Sequence, residues 1–366
     1  MKKNLLILLF IFLIISSCNC NLFNNDDLGN TPLDIPDYVL YGMLHTNGVD
    51  YITVIDMEKD SIVGYYRVTK EGEYIGDFCL GSDNLLYITI SPLEKISSEI
   101  RIFDPKEGKI VGKIIDEYSP EIIFPLPNDE AFVFHYFVQA GDSATTNSIL
   151  DLKNKIVIKK IISNLGGPGY KEIFCSPSND YWIFSNFPVS DDTYIIEFLA
   201  GPDTLGERIL FKKDYNGSNI DPTLTKFVSD TKIYARCDEI FGVVVYEFPS
   251  GEPKNIIPLE IKPVDILALP NGRVYVAQYD YYGLETTDNY ITVIDAESDA
   301  VIKRINVCPG PDYLAYSEAM NKLYMGSLYE NSIAVVDPNT DSLIKLIKGD
   351  SLGSDLNQYF RLIPNK

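Results

Sequence analysis

Five carboxylates recur at one point of a repeated pattern. Asp77, Glu172, Asp265 and Asp312 each stand at the start of an apolar strand, at equivalent offsets from its closing turn, and Glu121 sits one residue earlier. Carried on different repeats of one body, such groups would surround one end of a common axis. Oxygen-only ligands of this kind suit Ca²⁺ or Mg²⁺ rather than a transition metal. A Ca²⁺ held there would polarise a carbonyl and activate water, as in a metal-dependent hydrolase. The same acids have a plainer use, because an Asx side chain also caps a turn. Convergence to metal-binding distances or splaying into turn caps separates the two.

A second group is the segment 280–288 (DYYGLETTD), in which Asp280, Tyr281, Tyr282, Glu285 and Asp288 mix aromatic and carboxylate side chains. Such loops stack on sugars or pack on proteins, and binding residues concentrate on the loops of rigid scaffolds. A chain with 25 tyrosines also carries such a loop without any ligand. The remaining chemistry is thin. His45 and His135 are the only histidines, and neither stands in a cluster that makes a zinc site or a Ser-His-Asp triad. Residues 164–169 (NLGGPG) are glycine-rich but lead into no helix and lack the GKS/T of a phosphate loop. Trp182, beside Ile183 and Phe184, reads as core.

The elements that position these residues follow from a phrase repeated seven times: apolar strand, acid, short polar turn, apolar strand. Its acids are Asp56, Asp104, Asp151, Glu197, Glu247, Asp295 and Asp337, spaced 42 to 50 residues apart. Periods of this length belong to propeller blades or helical solenoids, and the short segments rich in Ile, Val, Tyr and Phe decide for strands. The reading is all-β: a seven-bladed propeller of four-stranded antiparallel blades over residues 38–366. The first unit lacks an inner strand, and residues 357–364 match one, so a C-terminal inner strand pairing with the first blade closes the ring. The recurring acids then serve their turns, bonding backbone N–H groups two residues on.

The chain begins with Lys2, Lys3 and an apolar run over residues 5–15, shorter than the ~20 residues of a membrane span. The following Ile15-Ser16-Ser17-Cys18 resembles a bacterial lipobox. That resemblance implies a lipoprotein signal peptide over 1–17, cleavage before Cys18 and acylation of Cys18, anchoring the chain to a membrane. Residues 18–37, rich in Asn and Asp, read as the lipidated Cys and a flexible tether. The other five cysteines, an odd number without metal spacing, read as small buried apolar residues. A net charge of −21 repels phosphate backbones and excludes sequence-independent nucleic-acid binding.

Three segments carry a family resemblance: Tyr290–Asp295 (YITVID), residues 331–337 (NSIAVVD) and residues 311–316 (PDYLAY), with residues 321–326 (NKLYMG) as a second strand. They resemble the YVTN-type β-propeller repeat, a WD40-like family. Units three to five depart from its phrase. The resemblance implies an exported binding protein, and that an Asp after Pro is an ordinary feature of the repeat. The leading expectation is a non-catalytic propeller, lipid-anchored in the bacterial cell envelope, that binds a protein or glycan through its loop face. The alternative is a Ca²⁺-dependent, lactonase-like hydrolase built on the five axial carboxylates, with Asn357 the nearest extra ligand. A quinone-dependent dehydrogenase stands third, weakened by the single Trp.

Overall fold

The computed structural model describes residues 28–365 apart from 46–48, 93–98, 117–118, 136–144, 164–169, 177, 179–181, 187–193, 199–204, 211–213, 217, 221, 238–239, 280–288 and 350–357. Apart from one 3-10 turn at Pro127–Asp129, every regular element there is a strand. Six four-stranded antiparallel sheets follow one another along the chain.

The sixth unit shows the plan. Pro263–Ala268 is the inner strand, followed outward by Arg273–Gln278, Tyr290–Asp295 and Ala300–Asn306. Ile291 to Ile294 are all buried, because neighbouring sheets cover both faces of the third strand; its side chains therefore form a continuous β-branched run instead of alternating. The outer strand pairs on one side only, and its first five residues are exposed.

The core lies between sheets. Tyr275, Ala277, Ile291 and Val293 of the sixth sheet pack on Leu323, Met325, Ala334 and Val336 of the seventh unit. Ile333, Val335 and Tyr324 of that unit pack in turn on Leu40, Leu44 and Ile55 of the first. The first sheet is completed from the far end of the chain: Gln358–Pro364 pairs antiparallel with Val39–His45 in the inner position.

Seven blades are expected from the repeat, and six complete sheets are described. In the fourth unit Tyr170–Cys175 pairs with Trp182–Asn186 and Tyr194–Phe198 with Leu205–Leu210, as two separate ladders. The two middle strands there span only five residues each and lie side by side without a ladder joining them. This is where the repeat phrase is weakest. The outer ladder of this unit nevertheless shifts register between Ile196 and Phe198, as the sixth unit's does between Val293 and Ile294 and the first's between Val54 and Ile55.

The recurring acids do cap their turns. Asp56 accepts the N–H groups of Glu58 and Lys59 at 2.9 and 3.0 Å, Asp104 that of Lys106 at 2.8 Å, and Asp295 that of Ser298 at 2.9 Å. Four residues on, the backbone turns left-handed in six units, at Asp60, Gly108, Lys155, Gly251, Asp299 and Asp341. Where that residue is Asp, its carboxylate is taken by the preceding unit's second strand. Asp299 accepts from Tyr234 and Lys232, and Asp341 from Tyr275. Between the seventh and first units, Lys322 reaches both oxygens of Asp60 at 2.7 and 2.8 Å and the Met57 carbonyl at 2.8 Å, with Tyr324 on Asp60 at 3.4 Å.

The expected tether also contains a docked part. Asn30 brackets the backbone of Arg67, donating to its carbonyl at 2.8 Å and accepting its N–H at 2.9 Å. Leu33 and Ile35 pack on the cluster shared by the first and second sheets. The residues are apolar and spaced to cover the strand beneath them, so this stretch belongs to the folded body.

Lys322→Met would strand the Asp60 carboxylate, which is 7% exposed, without its cation. Breaking a buried pair from one side costs about 3 kcal/mol. The expected result is a lower urea midpoint with an unchanged slope; an unchanged midpoint would mean that the pair contributes nothing.

Candidate functional site

Antiparallel order places the outer-to-inner connections and the second-to-third loops on one face, here called the connection face, where every inner strand begins. Each inner strand that follows such a connection carries a register shift near its start. The shifts fall between Ile75 and Phe78, Pro120 and Ile122, Tyr170 and Glu172, Pro222 and Leu224, Pro263 and Asp265, and Asp312 and Leu314. A bulge re-aims the side chains beside it. The predicted acids stand at these bulges.

Two of them, Asp77 and Asp265, bridge inner strands. Asp77 accepts the N–H of Phe78 at 2.8 Å and, with its other oxygen, that of Ile123 in the next sheet at 3.2 Å. Asp265 repeats this with Ile266 at 2.8 Å and with Leu314 of the next sheet at 2.7 Å, and Lys226 of the preceding sheet stands 3.5 Å away. Asp312 accepts the N–H of Tyr313 at 2.9 Å. Asp50, which the sequence pattern did not single out, makes a similar bridge to Ile75 at 2.6 Å. The capping expected for these residues thus extends across sheets. Glu172 lies in Tyr170–Cys175, and its side chain is outside the described residues. Among the described residues no group of three or more His, Cys, Asp or Glu is gathered to hold a metal.

Glu121 differs from the others. Its carbonyl accepts from Thr89 at 2.7 Å, and that same oxygen lies 2.5 Å from where a Cβ on Gly76 would stand, so the second and third inner strands approach closely. Its carboxyl, near Ser91 at 3.5 Å, is pushed above its ordinary value by burial, with the Asp77 charge adding to the shift against the Ser91 hydroxyl.

The other chemistry-bearing residues are tied into the scaffold. His135 meets Asp116 at 2.9 Å, both buried, linking the end of a second strand to its unit's incoming connection. Gln278 does the same through the Ile261 carbonyl at 2.9 Å, and Ser327 through that of Pro309 at 2.6 Å. Arg101, buried in the second sheet, holds Glu73 through two bonds of 2.8 Å. Cys79, Cys237 and Cys308 are buried and unbridged, and burial pushes the Cys308 thiol up to about 12.

Asp280, Tyr281, Tyr282, Glu285 and Asp288 lie outside the described residues, as do His45's side chain, Cys18 and Asn357. What borders that loop is described. Tyr279, just before it, meets Tyr329 edge-on at 6.2 Å and 88°. Tyr329 is 43% exposed, its ring seated where a Cβ on Gly310 would come within 2.5 Å. Phe241, on the loop between the second and third strands of the fifth unit, is 58% exposed.

Successive four-stranded sheets, an inner strand beginning each sheet on one face and core packed between sheets define a β-propeller fold. No protein-family model matches the chain, and no curated protein matches its sequence. Solved structures do. A putative 6-phosphogluconolactonase from Bacteroides fragilis is similar at 12% identity and TM-score 0.59, over 90% of this chain and 98% of that one. The dihydro-heme d1 dehydrogenase NirN in complex with DHE is similar at 14% and 0.56, over 89% and 67%. Apo AztD from Citrobacter koseri is similar at 11% and 0.52, over 89% and 98%. At these identities the likeness is one of fold.

Glu121 supplies a pH signature. A carboxyl raised by folding stabilises the fold fully below its ordinary value of 4.5, and that contribution is lost as pH rises through the folded value. Glu121→Gln is therefore expected to be more stable than the parent at neutral pH, the gap closing as pH falls towards 4. A gap that is constant with pH would contradict the burial argument.

Proposed function

We propose that this chain is a lipid-anchored propeller of the bacterial cell envelope that binds a protein or glycan through its connection face and performs no catalysis. The observation that carries this reading is the use of the axial acids. Asp77 and Asp265 each spend both oxygens on backbone N–H groups, one of them in the next sheet, and so brace the ring. Recognition then falls to the loops, where Phe241 and Tyr329 present exposed aromatic surface and Tyr329 meets Tyr279, the residue before the acidic, tyrosine-rich segment 280–288. The body itself we read as seven blades: the two ladders of the fourth unit are one blade, and the C-terminal strand closes the ring on the first. The shared shift in the outer ladders and the packing of the seventh unit on the first support this.

A second reading has its own observation. Glu121 is a half-buried carboxyl whose pKa is raised by burial, with the Asp77 charge adding to the shift, the kind of perturbed group found at functional sites. It favours a Ca²⁺-dependent, lactonase-like hydrolase in which Asp77, Glu121, Glu172, Asp265 and Asp312 hold the ion. The likeness to a putative 6-phosphogluconolactonase is of fold only but points the same way.

Thermal unfolding in EDTA and then in millimolar Ca²⁺ separates the two. The binding reading expects no shift; a saturable rise of several degrees would establish a cation site by linkage and displace it. Replacing residues 280–288 by a Gly-Ser linker is expected to abolish capture of the partner from envelope extracts while leaving the melting temperature unchanged. Undiminished capture would remove the loop from the binding surface.

A further inference from the structure

The segment before the first sheet is a strap with a defined direction. Asn30 is bonded to Arg67 through both backbone groups, and Leu33 lies over Gly64, where a Cβ would come within 2.8 Å of its side chain. Asp34 is close enough to Lys59 to raise its pKa, although the Asp56 pair is the larger cause. The segment therefore runs antiparallel to the outer strand Ser61–Arg67. It also spans to the second unit: Pro32 approaches Gly108 at 3.3 Å from the Cβ position, and the Leu33 N–H donates to the Tyr66 hydroxyl at 2.9 Å, which itself donates to the Pro105 carbonyl. The equivalent outer strands of the second, third, sixth and seventh units carry exposed apolar residues, among them Ile115, Ile158, Ile302 and Ile344. In the first unit Val63 is packed together with Leu33 and Ile35.

Direction decides where the chain leaves. The outer strand ends at the connection face, so a segment antiparallel to it, followed towards the N-terminus, passes Arg67 and departs at the rim of that same face. We propose that the strap sets the orientation of the anchored propeller, turning the connection face towards the bilayer, and that the partner on that face is a protein resident in the same membrane. This rests on lipidation at Cys18. From Cys18 to Asn30 the chain can span at most about 40 Å. The opposite face stands one strand further away, about 23 Å for seven residues. A chain of net charge −21, more negative still once Lys2 and Lys3 leave with the signal, is not drawn to anionic head groups, so the surface brought near the membrane meets a protein and not the lipid.

The test uses the full lipoprotein in liposomes that carry a lipid energy acceptor, with a bio-orthogonal fluorophore at position 241 on the connection face or at position 297 on the opposite turn. Quenching at 241 is expected to exceed that at 297 by about twofold, reflecting the one-strand separation of the two faces. Gly64→Val, which suits a strand but displaces Leu33, and Asn30→Ala should each shrink the difference and expose residues 28–36 to protease. Equal or inverted quenching in the parent would overturn the orientation. A chain that partitions into the aqueous phase of a detergent separation would overturn the anchor itself, a failure visible before any quenching is measured. In cells, a photo-crosslinker at 241 should capture an integral membrane protein that the same group at 297 does not; adducts with soluble proteins or lipid-linked glycan alone would overturn the choice of partner.

Discussion

Among the described residues the backbone ladders run only within each sheet, so side chains must hold one sheet to the next. Apolar burial between faces supplies most of that attraction but fixes no register, because it is non-directional. Much of the directional part comes from acids. On the connection face Asp77 and Asp265 reach backbone N–H groups of the next inner strand. On the opposite face Asp60, Asp299 and Asp341 receive the tyrosines and lysines of the preceding second strands. The two sets act at opposite ends of the strands, and between the sixth and seventh units both are present, Asp265 reaching Leu314 and Asp341 receiving Tyr275, so that shift and tilt are both fixed there.

Much of the acidic surplus is therefore structural, and this bears on how the site is read. A carboxylate bonded to two backbone N–H groups has committed about half of its acceptor sites and its orientation to the scaffold. Glu121 departs from the pattern, since it lies within reach of the Ser91 hydroxyl and burial disfavours its charge. The connection face combines a rigid inner rim with second-to-third loops that carry aromatic side chains. The division of labour between brace and loop is the one expected of a scaffold that presents a binding surface.

Strands and turns were legible because their signals are local. The YITVID phrase marks a strand covered on both faces, and an acid followed four residues later by Asp or Gly marks a turn that needs a left-handed residue. The number of complete sheets was less legible. The fourth unit keeps its hairpins but lacks the middle ladder, and ladder formation depends on non-local register more than on composition. The acids at the inner-strand starts were found by alignment, while their second partners, Ile123 and Leu314, were not, because those contacts cross 46 and 49 residues. The strap was hidden by its Asn- and Pro-rich composition, which suits a tether; its seat over Gly64 is visible only once the neighbouring strand is in place.

The pairing of Leu40 with Pro364 has a consequence for a chain made from one end. The sheets that follow are contiguous in sequence and can form as their residues emerge, but the first must wait for the last strand. Until then its inner edge is a row of open backbone groups able to accept any passing strand, its own or another molecule's. The outer edge of the same sheet is covered early by residues 30–35, which precede it in the chain. The vulnerable interval therefore has one side only, and its duration is set by the time needed to deliver the remaining three hundred or so residues.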